Sequence, residues 1–214
     1  MSLADPFLYA LVTVVTTIGL VICDALDARV GRAVLKPIAA SGFVLAAWAA
    51  GALESTYGRW IFAGLLLSWV GDVALLARDS RPLFLLGLGS FLLGHIAYSV
   101  GFLARGVAAG ASALALLVLA GPAWMALRWL APHVSDSMKA PVRAYVGVIT
   151  AMVVLAVGTV ADRGNPWILI GAVMFYLSDL AVARDRFIVA SFWNGAWGSP
   201  MYFYGQLVLA LTVR

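Results

Sequence analysis

Two aspartates sit where a carboxylate is costly. Leu65 to Asp79 reads LLLSWVGDVALLARD and places Asp72 in a run too apolar for anything but a membrane span or a deeply buried core. Phe175 to Arg186, FYLSDLAVARDR, repeats the order of aromatic run, small residue, Asp, apolar turn and Arg-Asp, with Asp179 standing 107 positions after Asp72. An ionisable group at such depth marks function by default; the alternative is a structural carboxylate bridging two helices. Two carboxylates in one low-dielectric cavity cannot both ionise freely. One would hold a proton at neutral pH and act as a donor, while the other stays anionic to stabilise a cation or activate water. That division suits acid-catalysed cleavage through an oxocarbenium ion.

Other polar residues fall at matching depths. At 1.5 Å rise per residue, Asp72 lies roughly 9 Å from Arg78, Asp179 about 7 to 8 Å from Arg184, and Lys36 about 6 Å from Arg32. His95, in LGSFLLGHIAYS, lies about halfway along its apolar run, with Gly94 before it and Tyr98 one turn later. A polar cavity open at one end, with His95 towards its floor, accommodates all of them. Each has a plainer alternative: Lys36 as a snorkelling interfacial lysine, His95 as a packed histidine bonded to a carbonyl, and Tyr145, Tyr176, Tyr204 and Gln206 as helix-helix glue. Gln206 is the hardest to dismiss, because a mid-membrane amide needs partners.

The residue inventory narrows the chemistry. A hydrolytic zinc site normally takes three protein ligands, commonly histidines, and the chain has two, of which His133 falls in a loop. No metal or other cofactor is expected, although one histidine with two aspartates, or a carboxylate Mg²⁺ site, stays open. Ser68 and Ser178 lie near or beside the aspartates without a GxSxG elbow or a neighbouring histidine, which is weak support for a serine nucleophile. The single cysteine, Cys23, excludes an internal disulfide and reads as a small hydrophobe.

These residues need helices in a bilayer to hold them. Hydrophobic residues make up 64% of the 214 and charged ones only 11%, against about a quarter charged in soluble domains. Apolar runs predict eight transmembrane helices at 6–23, 35–53, 58–77, 82–104, 108–130, 141–160, 166–184 and 193–212, in one all-α polytopic membrane helix bundle filling a single domain, 1–214. The last run is rich in aromatics and Gly and contains Pro200, which puts Trp193, Trp197 and Tyr202 near the headgroups. Asp5 is the only charge before the first run, so a retained first span rather than a cleavable signal is expected.

Alternate loops set the orientation. Arg29, Arg32, Lys36, Arg78, Arg81, Arg128, Lys139, Arg143, Arg184 and Arg186 fall on one side, and only Arg59, Arg105, Arg163 and Arg214 on the other. The positive-inside rule puts the first set in the cytoplasm and both termini outside. The net charge of +4 comes from scattered single residues, which excludes a nucleic-acid patch, and nothing in the chain calls for an obligate protein partner. Lys36-Pro37 and Lys139-Ala140-Pro141 open corresponding runs, so with the two Asp motifs they outline a parallel repeat of two four-helix halves. Such a repeat would set the third and seventh helices across a pseudo-axis.

Lys36-Pro37, SWVGDVALL, FLLGHIAYS, Tyr145 in RAYVGVITAM, FYLSDLAVA and the terminal YGQ, taken together from about residue 34 to 210, resemble the YhhN family of eight-helix membrane proteins, which includes animal lysoplasmalogenases. The resemblance implies an ether hydrolase that cleaves the sn-1 vinyl ether of lysoplasmalogens, releasing a fatty aldehyde and a glycerophospho-ethanolamine or glycerophospho-choline. It further implies a lysophospholipid substrate, with Asp72, Asp179 and His95 catalytic. Lys36, Tyr98, Tyr145, Tyr176, Tyr204 and Gln206 would then serve substrate binding. Short loops and an Ala/Leu/Val-heavy composition suit a bacterial inner membrane, with the site open to the cytoplasm. A transporter or channel using the Asp pair for proton or cation coupling is the rival reading, and a non-catalytic lipid-binding protein the third.

Overall fold

The computed structural model describes residues 5–77 and 80–214; Arg78 and Asp79, which close the first aspartate motif, lie outside the described residues. Eight helices follow one another: α1 (Pro6–Ala25), α2 (Arg29–Ala49), α3 (Thr56–Ala74), α4 (Arg81–Arg105), α5 (Ala109–Leu130), α6 (Asp136–Arg163), α7 (Pro166–Phe187) and α8 (Phe192–Leu211), with one 3-10 turn at Ala52–Glu54. This is the expected all-α bundle, and six of the eight are long and apolar enough to cross a membrane. The other two, α3 and α8, are the ones that carry Asp72, Ser68, Gln206, Tyr202 and Asn194 into the interior. A helix surrounded by other helices can dilute its apolar character with groups that those neighbours satisfy.

Local chemistry places the helix ends. Asp5, Ser55, Ser80, Asn165 and Ser191 each accept a bond from a first-turn N–H, and Pro6, Pro82 and Pro166 stand at the following positions, where a missing N–H costs nothing. Gly106 and Gly164 end α4 and α6 with φ of 118° and 77°, which an L side chain rarely adopts. α2 and α6 begin at Arg29 and Asp136, earlier than the apolar runs at 35 and 141 predict. A polar first turn still forms helix outside the hydrocarbon, so Lys36 sits about two turns inside α2 rather than one.

Adjacent helices pair as hairpins, α1 with α2, α3 with α4, α5 with α6 and α7 with α8. Further contacts of α2 with α3, α3 with α4, α4 with α6, α6 with α7, α7 with α8 and α8 with α2 close a ring of six. The ring has the arrangement a parallel repeat gives, because exchanging the halves turns the α4/α6 contact into α8/α2. α3 and α7 therefore stand across the ring without being packed on each other. The same register recurs in detail. On α3, Gly64 lies against the Tyr98 ring of α4; 107 positions on, Gly171 of α7 lies against Gly205 of α8. Small residues at these points let the helices approach closely. The pattern breaks where α3 also touches α8, and where α1 packs on α8 whereas α5 packs on α6 and touches α7 instead of settling on α4.

Candidate active site

The ring encloses a cavity of about 750 Å³ lined by Lys36, Asp72, Tyr145, Tyr176, Asp179 and Tyr202, among others. All its lining residues belong to the half of the bundle that holds Lys36 and Arg186, so the cavity opens at one end. Its size suits a small lipid or a drug-sized ligand.

Asp72, at the end of α3, is almost wholly enclosed. Lys36 Nζ of α2 lies 3.2 Å from its Oδ1, and the Tyr202 hydroxyl of α8 donates to its Oδ2 at 2.5 Å. A carboxylate removed from water needs both a counter-charge and hydrogen-bond donors, and this one has each on a separate oxygen. Tyr202 is consequently a buried wall residue and not the headgroup-level aromatic that its neighbourhood in sequence suggests. Trp193, by contrast, is exposed. Composition near the start of α8 reads as interfacial, but Tyr202 is three turns inside the helix on the face turned to Asp72.

Asp179, on α7, has its own partners. Tyr145 of α6 donates to its Oδ2 at 2.8 Å, and His95 Nε2 of α4 lies 3.0 Å from the same oxygen and 3.1 Å from the tyrosine hydroxyl. His95 Nδ1 faces the sulfur of Met152 at 3.3 Å. The imidazole thus lies between the carboxylate and phenol on one side and a thioether on the other. His95 is fully buried and does not line the cavity. It stands behind Asp179 rather than on a cavity floor, because Phe175 stacks across it with ring centroids 4.2 Å apart.

The two carboxylates thus share a cavity but not a partner. Behind the cavity wall Phe175 packs against both supporting rings, that of His95 and that of Tyr202, whose centroid is 5.5 Å away, with Phe91 edge-on to both Phe175 and Tyr202. Their supports are related by the repeat register: His95 on α4 serves Asp179 on α7, and Tyr202, 107 positions later on α8, serves Asp72 on α3. Each half therefore lends its fourth helix to the carboxylate of the other. Tyr202 was legible in that offset, because the interval from Asp72 to Asp179 carries His95 onto it.

The remaining candidates divide. Tyr176 joins Lys36 and Tyr145 on the wall. Tyr98 and Gln206 do not; the Tyr98 hydroxyl donates to Gln206 Oε1 at 2.5 Å and the amide reaches Ser68 Oγ at 3.4 Å, a closed network beneath the cavity. Tyr98 is therefore not a companion of His95 on one face, since its hydroxyl is committed to α8. Tyr204 packs against the core away from the cavity wall. Ser178 returns its hydroxyl to the Phe175 carbonyl at 2.7 Å, and neither serine is bonded to His95 among the described residues. No three His, Cys, Asp or Glu side chains converge as metal ligands among the described residues.

Comparison with known proteins places this geometry in context. The chain is 34% identical over 189 residues to lysoplasmalogenases of Mycobacterium bovis and Mycobacterium tuberculosis, covering 85% of this chain and 70% of each relative. It is 30% identical over 161 residues to human lysoplasmalogenase TMEM86A, covering 71% of this chain and 64% of the relative. No solved structure matches. Residues 31–213 match the YhhN family, so every residue of the two carboxylate centres lies within the matched region and the chain belongs to the YhhN family.

Proposed function

We propose that the chain is a lysoplasmalogenase, an integral membrane hydrolase that cleaves the sn-1 vinyl ether of a lysoplasmalogen to a fatty aldehyde and a glycerophospho-alcohol. The observation that carries the reading is Asp179 and Tyr145 on the wall of a cavity of lipid size, backed by the buried His95, with a second, separately partnered carboxylate on the same wall. Its relationship to the mycobacterial lysoplasmalogenases supports the same activity.

The roles follow from the partners. Asp179 is the acid: its carboxyl proton goes to the β-carbon of the vinyl ether, and the electron pair of the double bond forms the new C–H bond. The positive charge passes to the α-carbon and ether oxygen as an oxocarbenium ion. Asp72, held anionic by Lys36 and Tyr202, faces that charge. Water adds to the α-carbon and gives its proton back to Asp179, so the acid of the first step is the base of the second. The hemiacetal then breaks its bond to the glycerol oxygen, which leaves as the alcohol with a proton, and the aldehyde remains. His95 backs Asp179 from the dry side and shares its proton. Tyr145 fixes the carboxyl, and Tyr176 borders the substrate.

On this reading the protein lies in a bacterial inner membrane with the open end of the cavity towards the cytoplasm, an orientation that the Lys/Arg bias of the loops supports. A lipid whose headgroup stays at that surface reaches Asp179 from there, whereas a transporter needs an exit at the opposite end. Aldehyde release from lysoplasmenyl-ethanolamine by the purified protein is the test. Absence of turnover across a panel of alkenyl lysolipids would sink the assignment, and turnover untouched by Asp72→Asn and Asp179→Asn would sink the mechanism.

A further inference from the structure

Most charges on the cavity wall have partners, and the Asp185 carboxylate there accepts from the Ser191 N–H and the Asn194 amide. Lys36 is committed to Asp72, and Arg32 to Asp24 at 2.5 Å with Asp27 at 3.9 Å. Arg186 of α7 also lines the cavity, at its mouth, and makes no ion pair among the described residues. Its guanidinium is instead held over the Phe84 ring of α4, 4.1 Å from the centroid, a cation–π contact that fixes the side chain but leaves its N–H donors for a ligand. A positioned guanidinium with no carboxylate partner among the described residues, at the rim of a lipid-sized cavity, is complementary to phosphate.

The spacing agrees. Arg186 lies seven residues after Asp179 on the same helix, about 10 Å along the axis. In a lysoplasmalogen the vinyl ether and the phosphorus are separated by the glycerol backbone, roughly 7 to 9 Å when extended. Polar contacts between α4 and α6 join His95 to Tyr145 and Met152 and, farther from the mouth, Phe102 to Thr159. On the mouth side of Tyr145, Leu88 of α4 and Val142 of α6 line the cavity with apolar surface. The corresponding side, between α8 and α2, is covered by α1, whereas α5 does not settle on α4.

We propose that Arg186, held on Phe84, is the binding group for the phosphate of the lysolipid headgroup, with the alkenyl chain running along the apolar wall formed by Leu88 of α4 and Val142 of α6. This rests on the lysoplasmalogenase reading and deepens it. Carboxylates outnumber cations on the cavity wall, so a zwitterionic headgroup suits the mouth better than a simple anion.

Two paired substrates test it: 1-alkenyl-glycerophosphoethanolamine and 1-alkenylglycerol, which carries the same bond without the phosphate. Arg186→Gln is expected to lower the ratio of their kcat/KM values about tenfold, through KM for the phospholipid, with Arg186→Lys intermediate. Phe84→Leu is expected to move the ratio in the same direction by less. An unchanged ratio overturns the proposal, as does an equal loss on both substrates, which would mark a structural role or an arginine that only meets bilayer phosphates. Equilibrium binding of the saturated ether analogues of both lipids to detergent-solubilised protein separates this from the enzyme assignment. If wild type turns over no alkenyl lipid but Arg186→Gln still weakens the phospholipid analogue selectively, the headgroup site stands and the reaction does not. If inorganic phosphate displaces that analogue as well as glycerophosphoethanolamine does, the site is for a free anion and the proposal fails.

Discussion

The two carboxylates occupy matching positions of an internal repeat, yet their surroundings differ in the property that decides their chemistry. Asp72 meets a permanent cation, Lys36, and a phenol; Asp179 meets an imidazole and a phenol. A lysine lies 3.2 Å from Asp72 and a histidine 3.0 Å from Asp179, and the proposed mechanism uses the first as a counter-charge and the second as the partner of the acid. Burial differs in the same way: the Asp72 side chain is 2% exposed and that of Asp179 17%, so the carboxyl proposed as the acid is the more accessible of the two. Repetition of a scaffold supplies two equal places for a carboxylate, and one neighbour on each makes them unequal.

Substitutions can break or sharpen this contrast. Asp179→Asn removes the only carboxyl backed by the histidine, and kcat for vinyl-ether cleavage is expected to fall roughly a thousandfold with little change in KM. Asp72→Asn removes electrostatic support without removing the acid, and a loss of roughly a hundredfold is expected. Equal losses, or the reverse order, would exchange the two roles.

Lys36→Met should act on stability. It leaves an enclosed carboxylate without its cation, at a cost of about 2–4 kcal/mol read from thermal unfolding in detergent, and Lys36→Met combined with Asp72→Asn should recover most of it. The matching deletion of a neutral partner is milder: Tyr202→Phe is expected to lower kcat about tenfold, since it takes one hydrogen bond from a charged group. Tyr98→Phe is the control outside both centres. It strands the Gln206 carbonyl and should cost about 1–2 kcal/mol of stability while kcat stays within about twofold. A large kcat loss there would tie the lower network to the chemistry.

Much of this organisation was readable along the chain. The eight helices follow from apolar runs and their punctuation, and the depths of Lys36, Asp72 and Asp179 follow from helical rise. What misled was local composition. The aromatic, Gly-rich opening of α8 reads as interfacial, and Tyr202 shares that reading until its face is known. Tyr98 and His95 are three residues apart and look like companions, yet the first bonds α8 and the second α7. Spacing on one helix says which residues share a stripe, not which neighbouring helix the stripe meets.

By itself the sequence determined that the chain forms apolar helices, that two of them carry a carboxylate at like depth, and that the halves resemble each other. Those are properties of composition and of a rise per residue, which a single helix fixes alone. Only the tertiary structure decided that the carboxylates are served crosswise, Asp179 by the first half's His95 and Asp72 by the second half's Tyr202, and that Phe175 packs against both of those supporting rings. The physical reason is that a buried ionisable group is defined by its partners, and across a ring of helices those lie 84 and 130 residues away along the chain.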